Sequence, residues 1–112
     1  MATEQELETI EISMTQAKEK IMLADALKQL HKNSNFKKLI LNKFINEQSI
    51  RLVKVKASIG MQDERNQKYI DQQINAIGQF NQFLLHVEQE GRMAESSLMA
   101  DEQERELMLG EE

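Results

Sequence analysis

In the amino-terminal part of the chain, apolar residues recur in alternating steps of three and four, at Leu7, Ile10, Met14, Ala17, Ile21 and Ala24. That spacing puts them on one face of a helix, and the stripe widens through Leu23, Leu27 and Leu30. Thr3-Glu4-Gln5-Glu6 has the form of a capping box, in which the Thr hydroxyl and the Glu carboxylate each satisfy a free backbone N–H. Glu4, Glu6 and Glu8 stand where a helix dipole favours negative charge. The pattern predicts a helix from about Thr3 to Lys32.

Asn33-Ser34-Asn35 breaks the periodicity with side chains that compete for backbone hydrogen bonds, so it ends one helix and caps the next. A second helix is expected from near Phe36, with a wide apolar face at Leu39, Ile40, Phe44 and Ile45. The stretch from Ile50 to Ile59 does not alternate cleanly in twos. In threes and fours it gives one stripe (Leu41, Ile45, Gln48, Leu52, Val55, Ile59), which reads as helix. Ser58 to Asp63 contains Gly60 and forms the second connection, with Asp63 as the N-cap of a third helix. That helix carries Ile70, Ile74, Ile77, Phe80, Leu84 and Val87 on one side, with Phe83 beside them. Gly78 lies inside the pattern, where it costs about 1 kcal/mol relative to Ala. Gly91 either ends this helix or lies within it, since Met93, Ala94, Leu98 and Met99 resume a helical spacing.

The expected fold class is therefore all-α. A helical hairpin and a long third helix make a single domain over residues 1–95, followed by an acidic, frayed helical tail over 96–112. Composition agrees: there is no Pro, Cys or Trp, and only four Gly among 112 residues. This disfavours turn-rich β architectures and removes disulfides, thiol catalysis and Cys-ligated metals. At 4% aromatic, the core must be built from Leu, Ile, Val, Met and Ala. A short chain of long helices built this way usually hides its stripes against a partner, so a homo-oligomer or an obligate partner is expected. The apolar runs are too short to span a bilayer and the amino terminus is acidic, so the sequence points to no membrane and no signal peptide. A cytoplasmic location is expected, which for a viral protein means the host cytoplasm or the virion.

Charge is unevenly distributed. Residues 1–27 carry six acids and two bases, and residues 57–112 carry twelve acids and four bases. The middle, residues 28–56, carries eight bases and the single acid Glu47. Either this positive helix packs between negative neighbours, with charges matched within or between subunits, or it touches phosphate. The candidate phosphate contacts are Lys37, Lys38, Lys54 and Lys56. Phe36 and Phe44 also fit the apolar face, so they read as core rather than as base-stacking platforms.

The sequence offers little catalytic chemistry. His31 belongs to a helix end, and His86 has no second His three or four residues away to form a helical zinc pair. Phosphate-binding loops, dinucleotide fingerprints, EF-hands and nucleophile elbows are absent. No enzyme activity, catalytic residue, metal, cofactor or small-molecule substrate is expected. The chain has twelve Gln and seven Asn, many between Gln62 and Gln82. They form either a neutral solvent face or a protein-contact surface. Met93, Met99 and Met108 form either an adaptable docking strip for a partner or a frayed helix edge.

The segments Asn35-Phe36-Lys37-Lys38-Leu39-Ile40-Leu41, Ser49-Ile50-Arg51-Leu52-Val53-Lys54, the Ile70–Phe83 helix and Gly91-Arg92-Met93-Ala94-Glu95 resemble small helical proteins of tailed bacteriophages. The likeness covers about residues 10–95. It implies a viral setting, with virion or head–tail assembly, or accessory work in phage DNA metabolism, as the expected roles. The leading expectation is a non-enzymatic structural or assembly protein that binds itself or other phage structural proteins through Leu7, Ile10, Met14, Ile21, Ile70, Ile77 and Leu84. The alternative is a small DNA-binding accessory factor, of single-strand-binding or recombination-mediator type, using the basic segment. A helical chaperone or inhibitor wrapping one partner is a third.

Overall fold

A computed structural model describes residues 3–110, and no strand occurs among them. Helix α1 spans Glu4–Lys32. Helix α2 covers residues 34–57 in three successive stretches, Ser34–Phe36, Lys37–Glu47 and Gln48–Ala57. After a single turn at Ile59–Met61, helix α3 runs from Glu64 to Gly110. The helix starts follow local chemistry. The Glu6 N–H donates to Thr3 Oγ1 at 3.1 Å, while the Thr3 N–H donates to Glu6 Oε2 at 3.2 Å. Asn33 is extended (φ −78°, ψ 123°), and its Oδ1 accepts from the Phe36 N–H at 3.0 Å. Asp63 Oδ2 accepts from the Asn66 N–H at 3.1 Å and Oδ1 from the Asn66 amide at 2.6 Å. These hydrogen bonds hold the Asp63 carboxyl below the usual carboxylate range.

The chain divides into two compact units. The first comprises residue 3, residues 4–27 of α1 and residues 86–110 of α3. Its α1 side buries Ile10, Met14, Ala17, Ala24 and Leu27, with Leu7 and Ile21 half-buried. Its α3 side has Gly91 and Ala94 buried and Val87, Leu98, Asp101, Arg105 and Met108 half-buried. Both sets step alternately by three and four, in α1 as far as Ala24, the heptad spacing of a coiled-coil seam. Two contacts fix the register as antiparallel: Gly91 lies against Ala24, and Ser13 Oγ donates to Asp101 Oδ2 at 2.7 Å. Small residues at Ala17, Ala24, Gly91 and Ala94 allow a close helix approach. A Cβ added to Gly91 would stand 2.3 Å from the Ala24 Cβ. Gly91 therefore lies within α3, and residues 96–110, expected as a frayed tail, are its closing stretch in this pairing.

The second unit is Lys28–Leu85. Its core is Leu52, Ile70 and Ile77, with Val55 and Ile74 packed against them. Phe44 meets Phe80 edge-to-face at 5.7 Å, and Lys56 pairs with Asp71. In this unit, then, it is α2 and the start of α3 that run antiparallel around the 58–63 connection. Gln67 Nε2 donates to the Lys56 and Met61 carbonyls at 2.9 and 2.8 Å. Gln62 Nε2 donates to those of Lys56 and Ser58 at 2.9 and 2.8 Å. Two amides of the Gln-rich stretch thus hold the connection in place.

The Lys37–Glu47 stretch is wound more widely than an α-helix: the Gln48 N–H donates to the Lys43 carbonyl, five residues back. Its covered positions are Phe36, Ile40 and Leu41, Ile45, then Gln48 and Ser49. From Phe36 to Ile45 they recur at steps of about four and a half, in keeping with i→i+5 bonding, and the step shortens at Gln48 and Ser49, where α-helix resumes. The wide apolar face expected here is only partly used, because Leu39 and Phe44 are exposed.

Candidate functional site

The seven apolar residues expected at an interface fall in both units. Ile10, Met14, Ile70 and Ile77 are buried, and Leu7, Ile21 and Leu84 are half-buried. The four buried ones pack inside the chain's own units, and the fully exposed apolar positions are other residues. Nine hydrophobic residues are buried among the described residues, whereas seventeen large ones are exposed. On the first unit, Met93, Met99 and Leu107 are exposed on α3, Met93 at the edge of the groove between the two helices. Met108 belongs to the seam side, which separates it from the other two methionines of the expected docking strip. On the second unit, Ile50 and Val53 stand one turn apart on the outer face of α2, at 57% and 60% exposure. Nothing in sequence spacing distinguishes these positions from core ones, because both sets follow helical periodicity.

The electrostatics divide along the same units. The second unit holds ten Lys and Arg against four acids, a net charge of +6. The stretches 1–27 and 86–112 hold fifteen acids against four Lys and Arg, a net charge of −11. Few of these charges are matched locally. In the second unit, Lys43 pairs with Glu47 at 2.9 Å and Lys56 with Asp71. The Glu47 carboxylate raises the Lys43 pKa through their hydrogen bond and their charge attraction. In the first unit, Arg92 pairs with Glu88 at 3.0 Å, and His86 Nε2 lies 3.2 Å from Glu90 Oε1, an ion pair only when the imidazole is protonated. Of the four candidate phosphate contacts, Lys37, Lys38 and Lys54 are exposed and make no ion pair among the described residues, while Lys56 is occupied by Asp71. Phe36 is half-buried beside His31, at 5.9 Å between ring centres.

A groove of about 410 Å³ lies between the helices of the first unit, above Ala17 and Ala94. Ser13, Lys20, His86, Glu90 and Ser97 are among its lining residues. Ser13 is turned to Asp101 and His86 to Glu90, so these two groups are engaged with carboxylates rather than with each other. No cluster of three or more His, Asp or Glu suited to a metal ion occurs among the described residues. No helix of the described residues is long and apolar enough to cross a membrane. No family model, curated protein or solved structure matches this chain.

Proposed function

We propose that this chain is a non-enzymatic assembly protein that associates with copies of itself through the outward apolar positions of its helices. One observation carries the reading: among the described residues, seventeen large hydrophobics are exposed, against six that are buried (Ile10, Met14, Leu27, Leu52, Ile70 and Ile77). Apolar side chains left in water at that ratio are stabilised by a partner, since each one covered recovers part of its transfer free energy. The units themselves are thin, each built from paired helix faces, and no side chain in them falls below 2% exposure. The resemblance to small tailed-phage proteins supports a virion or head–tail setting for such an assembly. The direct test is native mass by size-exclusion chromatography with light scattering. A discrete multiple of the 13.0 kDa chain is expected; a monomer at every concentration and salt overturns the reading.

The excess of unpaired cations in the second unit favours a second reading, a nucleic-acid accessory factor that holds phosphate with Lys37, Lys38 and Lys54. Titration with a fluorescent oligonucleotide tests it directly. Saturable binding that weakens when these three lysines are replaced by Ala supports it, and binding that is absent or unchanged refutes it.

A further inference from the structure

We infer that the acidic unit of one chain docks on the basic unit of a second copy, with the outer face of α3 around Met99 meeting the outer face of α2 around Ile50 and Val53. This rests on the self-association reading and specifies which surfaces meet. On α3, Glu95, Met99, Glu102 and Glu106 follow one another at helical steps along an exposed strip, and none of the three carboxylates makes an ion pair among the described residues. Met99 is 62% exposed at the middle of that strip, a flexible apolar side chain framed by negative charge. On α2, exposed Ile50 and Val53 are framed by Arg51 and Lys54, which also lack ion pairs among the described residues. Each surface thus has an apolar centre and a charged rim, and the rims are opposite in sign. Such a match steers association and suppresses the like-with-like pairings of acidic with acidic and basic with basic units. The net charges of +6 and −11 act in the same sense over longer range.

The test uses two charge-reversed forms of the full chain. One carries Arg51→Glu with Lys54→Glu, the other Glu95→Lys with Glu102→Lys. All four positions are exposed on helices, and circular dichroism verifies that each form stays folded. Self-association is measured by analytical ultracentrifugation from about 50 mM to about 500 mM salt, a range over which surface charges become strongly screened. Wild-type association should weaken with salt, and each reversed form alone should associate at least about tenfold less tightly. An equimolar mixture of the two should recover association, because every interface then again joins opposite rims. Wild-type association that ignores both salt and the reversals overturns this docking while leaving self-association standing. A wild-type chain that is monomeric throughout removes both. If the α2 reversal abolishes oligonucleotide binding and leaves self-association intact, the basic face is a nucleic-acid surface and the docking is likewise overturned.

Discussion

At the scale of single residues, Gly78 and Gly91 sit on the same helix yet call for opposite outcomes. A Cβ on Gly78 meets nothing within 4 Å, so Gly78→Ala should raise stability by about 0.5–1 kcal/mol through helix propensity and a less flexible unfolded chain. Gly91→Ala drives a methyl against Ala24, and overpacking of about 1–3 kcal/mol should exceed the propensity gain. Thermal melts of the two variants should therefore move in opposite directions. Ile77→Asp places a carboxylate at a position only 6% exposed and should cost about 3 kcal/mol or more, seen as lost helicity rather than as a clean change of oligomer. Asp63 gives a pH signature. Its carboxyl is held below its ordinary value by Asn66, so its contribution is fully present above the unfolded value and fades as pH falls through the lower folded one. Asp63→Ala should remove that part of the acid dependence below about pH 4 in a denaturation series.

At the scale of elements, sequence reading succeeded where the signal is local. The Thr3 box, the Asn33 break, the Asp63 cap and the α1 stripe each rest on residues within one or two helical turns of each other. The helical period also settled the Ile50–Ile59 stretch as far as Ala57; Ile59 itself lies outside the helix at 94% exposure. Three features escaped for physical reasons. The wide winding of Lys37–Glu47 shows in its i→i+5 hydrogen bonding, whereas its sequence spacing resembles a broad α-helical face. The seam through residues 96–110 was hidden because Asp101 and Arg105 occupy seam positions where an apolar residue would have revealed the heptad. Gly91's role depends on Ala24, a residue remote in sequence. The Gln-rich stretch was read as a face, but Gln67 also ties a connection. Gln67→Ala should cost about 1 kcal/mol and speed amide exchange around Ile59–Met61, and Gln67→Glu should do the same because a carboxylate cannot donate.

At the scale of the whole molecule, the candidate interface was not legible because periodicity marks apolar faces without saying which one the chain itself covers. Of the seven residues first expected at the interface, four are buried and three half-buried within the chain, and the outward set became visible only once exposure was known. The charge map was readable from the outset, but its division into one basic and one acidic unit needed the fold, which gathers both chain ends into one unit. Internal and outward positions should separate experimentally. Val53→Asp with Met99→Asp should lower the native mass while leaving the melting temperature within a few degrees, as expected for exposed helix positions. A melting temperature that collapses with the mass would place these two side chains in the fold rather than at its surface.

The antiparallel seam of the first unit joins residues from opposite ends of the chain, Ser13 to Asp101 and Ala24 to Gly91. This has a consequence for biosynthesis. The early half of that seam leaves the ribosome long before its mate, while the intervening Lys28–Leu85 stretch is complete enough to fold on contacts of its own. Until residues 86–110 have been made, the stripe from Leu7 to Leu27 has no native cover, and closing it means ordering a long loop. A ribosome that stalls before the last helical turns therefore releases a chain with an open apolar ridge, the kind of surface on which chaperones and proteases act.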